Sequence, residues 1–166
     1  VYPAGDSIRQ GLALAIVDML GAIGVKIELL GKSWDEIKNL MHSQVVLFGW
    51  GSHDPMEVFN LFYSPVAGQD WNNPGFYSNP KVDEYLEKAV TAGDFEESLA
   101  WWKKAQWDGQ TGAGPRGDAP WAWLVNLDHV YFVGDCLDIG QSRVEPHGHG
   151  WPVTANIQEW SWTCSK

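Results

Sequence analysis

The sequence predicts an α/β fold in which helices flank a mixed, mostly parallel sheet. Amphipathic helical patterns alternate with short apolar strand patterns in the first half of the chain, and residue types that cap helices stand where each helix should begin. In such an alternation each strand returns through a helix to lie parallel to a neighbouring strand. At 166 residues the chain is long enough for one domain with its own core.

The first half of the chain predicts two helices and two strands. Apolar residues recur at helical spacing over residues 6–23, and residues 25–29 then alternate as a strand with one buried face. Ser33 and Glu36 form a capping box, which predicts the start of a second helix. Residues 44–50 are a continuous apolar run, which is typical of a strand buried on both faces.

Three further helices are predicted in the middle of the chain. Asp54-Pro55 and Asn79-Pro80 each combine an N-cap residue with proline at the first helical position, and Asp94 is a third cap. Residues 64–79 form a polar loop between the first two of these helices. Residues 108–119 are rich in glycine and predict a flexible surface loop, without the lysine of a phosphate-binding loop.

The last part of the chain predicts two strands and an irregular tail. Residues 120–126 and 129–133 are apolar and rich in β-forming types, and the chain beyond Gly134 is rich in tryptophan and proline. Cys136 and Cys164 either pair in an oxidising compartment or remain inert thiols, because their separation fits no zinc pattern.

Composition excludes several classes of function. The net charge is -10 and the sequence has no basic stripe, which argues against nucleic-acid binding. No apolar run approaches the roughly 20 residues that span a bilayer. The sequence lacks a nucleophile elbow, a His-Glu-x-x-His helix and a cysteine with a nearby base, so we expect a protein that is not an enzyme. A start at Val1 suggests a mature product or an excised portion of a larger protein.

The best candidate for a ligand site follows the predicted strand 44–50. The strand ends in Phe48-Gly49-Trp50, and Trp50 stands between two glycines shortly before a helix start. Ligands in open α/β sheets bind beyond the carboxyl ends of strands, and the free N–H groups of a helix start favour an anion. The alternative is a tight turn in which Asp54 merely caps the next helix.

Histidines offer a second kind of site. His147 and His149 lie two residues apart in a glycine-rich segment, and imidazoles suit nickel, copper or zinc. Such a pair supplies only two ligands, so the alternative is a surface or structural role for both.

Five features in order resemble the C-terminal lobe of bacterial extracellular solute-binding proteins of the peptide/nickel type (family 5), which serve ABC transporters. They are a helix ending in Ala-Ile-Gly-Val-Lys-Ile at 22–27, Phe-Gly-Trp at 48–50 with His-Asp-Pro at 53–55, Asn-Asn-Pro-Gly-Phe-Tyr-Ser-Asn-Pro-Lys-Val-Asp at 72–83, a helix over 97–106, and Ala-Pro-Trp at 119–121. The resemblance covers residues 1–135 and implies a periplasmic-binding-protein-like lobe. Residues 136–166 would be an irregular tail packed on it.

The resemblance implies a periplasmic or extracellular protein, with a membrane anchor in the full-length protein as an option. Its two lobes would close on a peptide or related small solute and deliver it to a membrane permease, without a cofactor. The missing partner is then the N-terminal lobe of the same protein. By position, the family's cleft lining falls on Trp50, Gly51, Ser52 and His53, and the loop that borders the cleft on Asn73, Phe76 and Tyr77.

Several alternatives stay open. The family's acidic residue before Asp-Pro is absent here, where Gly51-Ser52-His53 stands, which leaves the type of ligand open. His53, His147 and His149 favour nickel or a metal chelate, and the tryptophans favour an oligosaccharide, because indole rings stack on sugars. A free-standing carbohydrate-binding module and a small hydrolase are the alternatives from other classes. Of the 11 tryptophans, Trp50 is expected to meet ligand, and a packing role is expected for Trp34, Trp101, Trp102, Trp107, Trp121 and Trp123.

Overall fold

The computed structural model of the chain describes residues 1–49, 55–126, 130–141, 154 and 156–164. These residues form helices and short strands in a mixed arrangement. The helices are α1 (Ser7–Gly21), α2 (Trp34–Leu40), α3 (Met56–Phe62), α4 (Pro80–Thr91) and α5 (Phe95–Gln106), with 3-10 turns at Ser64–Val66 and Ile157–Glu159. The strands are β1 (Tyr2–Pro3), β2 (Gly31–Lys32), β3 (Leu137–Asp138) and β4 (Ser161–Trp162).

The N-terminal part of the chain is built around β1. This strand pairs in parallel with β2, where Tyr2 lies opposite Gly31. On its other side Val1 donates to the carbonyl of Val45 at 2.7 Å and accepts from the amide of Leu47 at 2.9 Å, which is the bonding pattern of a parallel neighbour. We call β1, β2 and residues 45–47 the N-terminal ribbon. Its segments are connected through α1 and α2. The prediction of a chain that mixes helices and strands is confirmed, whereas the described sheets are short, one parallel pair and one antiparallel pair.

The predicted strands of this region are wrong in their extent. Residues 25–29 are not a strand, because the turn that ends α1 continues through Gly24 at φ +86° and the amide of Val25 bonds back to Leu20 at 3.0 Å. Residues 44–49 are not assigned as a strand and are not buried on both faces. Val45 is 90% exposed, since the ribbon offers this segment a neighbour on one edge and no covering layer for that side chain.

The helix starts are confirmed wherever the predicted caps lie in the described part of the chain. The hydroxyl of Ser33 accepts from the amide of Glu36 at 3.3 Å, and the carboxylate of Glu36 accepts from the amide of Ser33 at 3.0 Å. Asn79 caps α4, and Asp94 accepts from the first turn of α5 at 2.9 Å. Asp54 lies outside the described residues, and α3 begins directly after Pro55.

The main core lies between α3, α4 and α5. Apolar residues of α4 recur at intervals of three and four positions, so that one face of the helix is apolar and packs against α5. Leu86 and Val82 are fully buried, and burial of such a side chain contributes about 1.5–3 kcal/mol. The buried members of this core are Leu61, Phe62, Val82, Tyr85, Leu86, Ala89, Trp102, Ala105 and Ala113.

The prediction that residues 108–119 form a flexible surface loop is wrong at its centre. Ala113 is buried, and its amide bonds to the carbonyl of Ala105 at 2.9 Å. The next amide, that of Gly114, bonds to Gln106 at 2.8 Å. A Cβ on Gly112 would collide with the same carbonyl of Gln106, so glycine here permits close packing of backbone on the end of α5.

The predicted strands 120–126 and 129–133 are not formed in their described residues. Residues 121–126 and 130–133 belong to none of the strands in the described structure, and most of their side chains are exposed, with Trp123 at 55% and Phe132 at 99%. The β-forming composition of a segment is a weak guide, because strand formation depends on the context that the rest of the chain provides.

The tail is partly regular. Strands β3 and β4 pair in an antiparallel manner, and a disulfide joins Cys136 to Cys164, which resolves the two alternatives for these cysteines. The buried Asn156 donates to the carbonyls of Ile139 and Gln141, both at 2.9 Å. We call β3, β4 and their disulfide the C-terminal hairpin. None of the helices in the described residues has the length and hydropathy that a bilayer span requires.

Candidate functional site

The three carboxyl ends of the N-terminal ribbon meet at one edge of the sheet. The chain leaves β1 toward α1, leaves β2 at Ser33 toward α2, and leaves residues 45–47 at Phe48 and Gly49. Trp50, Gly51, Ser52 and His53, which the sequence places at this edge, lie outside the described residues. Five described residues at this edge contact one another, and we call them the carboxyl-edge site: Asp6, Arg9, Trp34, Phe48 and Gly49.

Arg9 is the cation of the carboxyl-edge site. Asp6 caps α1 by accepting from the amide of Arg9 at 2.9 Å, and its carboxylate also forms an ion pair with the guanidinium. The backbone N–H of Arg9 is the largest of the contacts that hold the pKa of Asp6 below its ordinary value. Asp6 therefore stays ionised at neutral pH and orients Arg9.

Two neighbours fix the position of the guanidinium. Its central carbon lies 5.8 Å from the ring centroid of Trp34, within range of a cation–π interaction. On another side it lies against Gly49, where a Cβ would collide with Nη2 of Arg9. The side chain of Arg9 keeps 24% of its surface exposed, so part of the guanidinium side chain is accessible at this edge.

Aromatic rings form a wall beside Arg9. Trp34, Phe48 and Trp71 contact one another with centroid distances of 6.1, 5.9 and 5.6 Å. Phe48 also contacts Trp121 at 6.3 Å, and Trp121 stacks on Trp123 at 5.8 Å. We call these five residues the aromatic wall.

The packing roles predicted for the tryptophans hold only in part. Trp102 is buried as expected, whereas Trp34 is 43% exposed and Trp123 more than half exposed. Both are partly covered by other rings of the wall and present the rest of their surface to solvent. The prediction that these two are core residues is therefore wrong, and their open faces belong to the candidate site.

Asn73, Phe76 and Tyr77, predicted to border the cleft, lie in one loop between α3 and α4. Asn73 is wholly buried, and its amide group donates to the carbonyls of Tyr63 at 3.2 Å and Tyr77 at 2.7 Å while its oxygen accepts from the amide of Tyr77 at 2.9 Å. Phe76 is exposed and lies against His42 at a centroid distance of 5.0 Å. Asn73 thus shapes the loop, and Phe76 is accessible on it.

Tyr77 connects this loop to the glycine-rich segment 108–119. Its hydroxyl donates to Asp118 at 2.7 Å, and the same carboxylate oxygen accepts from the amide of Asn79 at 2.7 Å. Burial is the largest cause that raises the pKa of Tyr77, and the carboxylate of Asp118 raises it further. The pKa of Asp118 is lowered, first by its bond to Asn79. Tyr77 is therefore a neutral donor rather than an acid or base at physiological pH.

The sequence reasoning missed Arg9 and the second half of the aromatic wall. Arg9 is the third residue of α1, and this helix start lies at a sheet edge only because β1 pairs with β2. A strand of two residues, Tyr2–Pro3, is too short to show an alternating pattern, so the sequence contains no signal for β1. Within the described residues no three His, Cys, Asp or Glu side chains gather as a metal site, and His147 and His149 lie outside them.

No family model matches the chain. A similar protein is protein XP55 of Streptomyces lividans, which is 31% identical over 139 residues. The match covers 82% of this chain and 24% of that protein, so the chain spans about a quarter of the length of this relative.

Proposed function

We propose that this chain is a ligand-binding lobe of an extracytoplasmic solute-binding protein that delivers peptides to an ABC importer. The observation that carries the proposal is the carboxyl-edge site, where Asp6 holds the guanidinium of Arg9 against Gly49 and beside Trp34. It lies at the carboxyl ends of parallel segments, where α/β proteins bind their ligands.

A peptide fits the chemistry of this site. A guanidinium can donate two parallel hydrogen bonds to a carboxylate, which a peptide carries at its end or on its side chains. The aromatic wall offers apolar surface to the adjoining side chains. Residues 50–53, on which the family resemblance places the cleft lining, follow Gly49 directly in the sequence.

Three further observations support the proposal. The resemblance to family 5 solute-binding proteins covers residues 1–135. The disulfide between Cys136 and Cys164 is of a kind found mainly in exported proteins. The relative is about four times longer than the region it shares with this chain, which leaves room for a second lobe. A ligand bound between two lobes would stabilise their closed arrangement.

Thermal unfolding with a panel of ligands tests the proposal. The panel consists of a tripeptide with a free C-terminus, the same tripeptide as its amide, Ni²⁺ and an oligosaccharide. A ligand at ten times its Kd stabilises the native state by about 1.4 kcal/mol, which raises Tm by roughly 3–6 °C. We expect the free acid to raise Tm most.

Variants locate the effect at Arg9. Arg9→Gln removes a charge-assisted contact worth about 1.5–3 kcal/mol, so affinity for the free acid should fall about 10- to 100-fold. The amide should bind Arg9→Gln and the parent chain equally well. Arg116→Gln, on the glycine-rich segment, is the matched control and should leave binding unchanged. A free acid that binds Arg9→Gln as tightly as the parent chain contradicts the proposal.

An oligosaccharide is the second candidate ligand. The open faces of Trp34 and Trp123 favour it, because sugar rings stack on indoles and the wall between these two residues is continuous. In the same panel the sugar would raise Tm, Arg9→Gln would have little effect, and Trp123→Ala would abolish the shift. Those three results together would replace the peptide proposal.

A further inference from the structure

The glycine-rich segment 108–119 is a tightly folded structure that the proposed function leaves without a role. The amide of Gly117 bonds to the carbonyl of Gly114 at 2.9 Å, and a Cβ on Gly117 would collide with the carbonyl oxygen of Gly112. A Cβ on Gly112 or Gly114 would likewise collide with the carbonyl oxygen of Gln106. The backbone therefore needs glycine at these three positions, although glycine loses more conformational freedom on folding than any other residue.

A carboxylate anchors each end of this segment. Asp108 accepts from the amides of Gln110 and Thr111 at 2.7 and 2.8 Å. At the other end Asp118 accepts from the hydroxyl of Tyr77 at 2.7 Å. Both carboxylates are thus engaged within the fold, and the backbone between them is held in one arrangement.

The segment and the end of α5 form an open groove of about 240 Å³. Gln106 and Trp107 contribute to it from the end of α5, and Gly114, Pro115 and Arg116 contribute from the segment, and all five are described residues. We call these five residues the Trp107 groove. Sites for drug-sized molecules begin at about 300 Å³, so this smaller groove has room for a ligand of about one ring.

Three side chains of the Trp107 groove carry donors that the described fold does not use. The indole of Trp107, the amide of Gln106 and the guanidinium of Arg116 bond to no described residue. Trp107 is half-buried, and no ring or cation of the described chain lies over its indole, whereas Trp101 stacks on Tyr85. An aromatic surface and several hydrogen-bond donors therefore meet in one groove of fixed backbone.

The charges beside the Trp107 groove favour an anion. Arg116 forms no ion pair with a described residue, and Lys103 and Lys104 lie in the last turn of α5 next to the groove in sequence. The carbonyl of Gln106, at the negative end of the α5 dipole, is bonded by the amide of Gly114 at 2.8 Å. Local attraction therefore acts on an anion here even though the chain has a net charge of -10.

We propose that the Trp107 groove binds one acidic sugar ring, a hexuronate. The indole of Trp107 would stack on the C–H face of the ring, and the guanidinium of Arg116 would donate two parallel hydrogen bonds to the carboxylate. The amide of Gln106 would donate to a hydroxyl. A bare anion would use only the guanidinium, and a neutral sugar would use only the indole and the amide. This site is separate from the carboxyl-edge site and does not rest on the proposed function.

Titration of the 166-residue chain, followed through the indole N–H signals in its ¹H–¹⁵N NMR spectrum, tests this proposal. The probes are methyl glucuronide, methyl glucoside, which lacks the carboxylate, and acetate, which lacks the ring. Methyl glucuronide should shift the signal of Trp107, which is identified by its absence from Trp107→Phe, while the signal of the buried Trp102 stays in place.

The two partial probes should each bind at least about 10-fold more weakly than methyl glucuronide, because each lacks one of the two main contacts. A glucoside or an acetate that binds as tightly as methyl glucuronide overturns the proposal. The absence of any shift at Trp107 also overturns it.

A substitution tests the role of the guanidinium. Arg116→Gln should lower the affinity for methyl glucuronide about 10- to 100-fold and remove its preference over methyl glucoside. Because Arg116 is exposed and bonds to no described residue, the variant should keep the Tm of the parent chain. Lys26→Gln, which removes an exposed cation from the N-terminal part of the chain, is the matched control and should bind as the parent does. Unchanged affinity in Arg116→Gln overturns the proposal.

The position of the shifted signals separates this proposal from the peptide-binding proposal. If methyl glucuronide shifts Trp34 and Trp123 in place of Trp107, the acid binds at the aromatic wall and this inference is overturned. A peptide that binds through Arg9 should leave the signal of Trp107 in place. Failure of either proposal is therefore distinguishable from failure of the other.

Discussion

Asn73 should be one of the most sensitive positions of the chain. Its side chain makes three hydrogen bonds to the backbone of Tyr63 and Tyr77, and no part of it reaches solvent. Asn73→Ala removes all three bonds and leaves their backbone partners without a replacement. The residue also has φ +35°, a left-handed conformation that asparagine tolerates better than alanine.

The expected magnitude follows from these contacts. Each lost hydrogen bond contributes about 1 kcal/mol net, so the three account for about 3 kcal/mol. Alanine in the left-handed region adds about 1 kcal/mol. Asn73→Ala should therefore lower the free energy of unfolding by about 4 kcal/mol. Asn73→Gly loses the same bonds without the strain, and should be destabilised by about 1 kcal/mol less than the alanine variant.

Urea unfolding measures both variants, with the slope m confirming that the same surface is exposed. Asn39→Ala is the matched control, because Asn39 is exposed on α2 and makes one bond, to the carbonyl of Asp35 at 3.1 Å. It should change the free energy of unfolding by less than about 0.5 kcal/mol. If Asn73→Ala were no worse than Asn39→Ala, the assignment of Asn73 as the organiser of its loop would be refuted.

Three further predictions concern stability. Reduction of the Cys136–Cys164 disulfide should cost about 3–4 kcal/mol from the loop it closes, and should lower Tm in the parent chain but not in the double serine variant. The pKa of Glu36 is lowered from 4.5 to about 2, first by the hydrogen bond from the amide of Ser33. Ionised Glu36 should therefore stabilise α2 above pH 4.5, and this stabilisation should be lost as the pH falls toward 2. Glu36→Gln should flatten this part of the pH profile of Tm. Gly114→Ala should destabilise by about 1–3 kcal/mol in urea unfolding, because its Cβ would lie 2.7 Å from a backbone oxygen, while Gly93→Ala has open space and should be neutral.

The helix starts could be predicted because their chemistry is local. Asn79 and Asp94 each satisfy amides two or three residues away, so the sequence contains both partners of the interaction within one turn. The apolar face of α4 is equally local, and its buried members are the ones that helical spacing selects. Capping residues and helical periodicity therefore predicted α1, α2, α4 and α5 close to their observed bounds.

The strands could not be predicted in the same way, because pairing depends on a distant partner. Residues 130–133 have the composition of a strand and belong to none of the described strands, whereas Tyr2–Pro3 forms a strand of only two residues. Arg9 was missed for the same reason, since it became part of a site only when β1 paired with β2. The burial of Ala113 likewise depends on a distant partner, because its amide bonds to Ala105 at the end of α5. The glycine-rich composition of residues 108–119 alone predicted a flexible loop.

Strand β1 lies between β2 and residues 45–47 in the N-terminal ribbon, and this central position affects how the molecule folds. Tyr2 pairs with Gly31 and Val1 bonds to Leu47, so each of these contacts closes a long loop of chain. Helices α4 and α5, in contrast, are joined by three residues and form most of their contacts with near neighbours in the chain. Contacts of low sequence separation form fastest, so we expect the helical hairpin to assemble early and the ribbon late. The edge that holds Arg9 would then be among the last parts of the chain to become ordered.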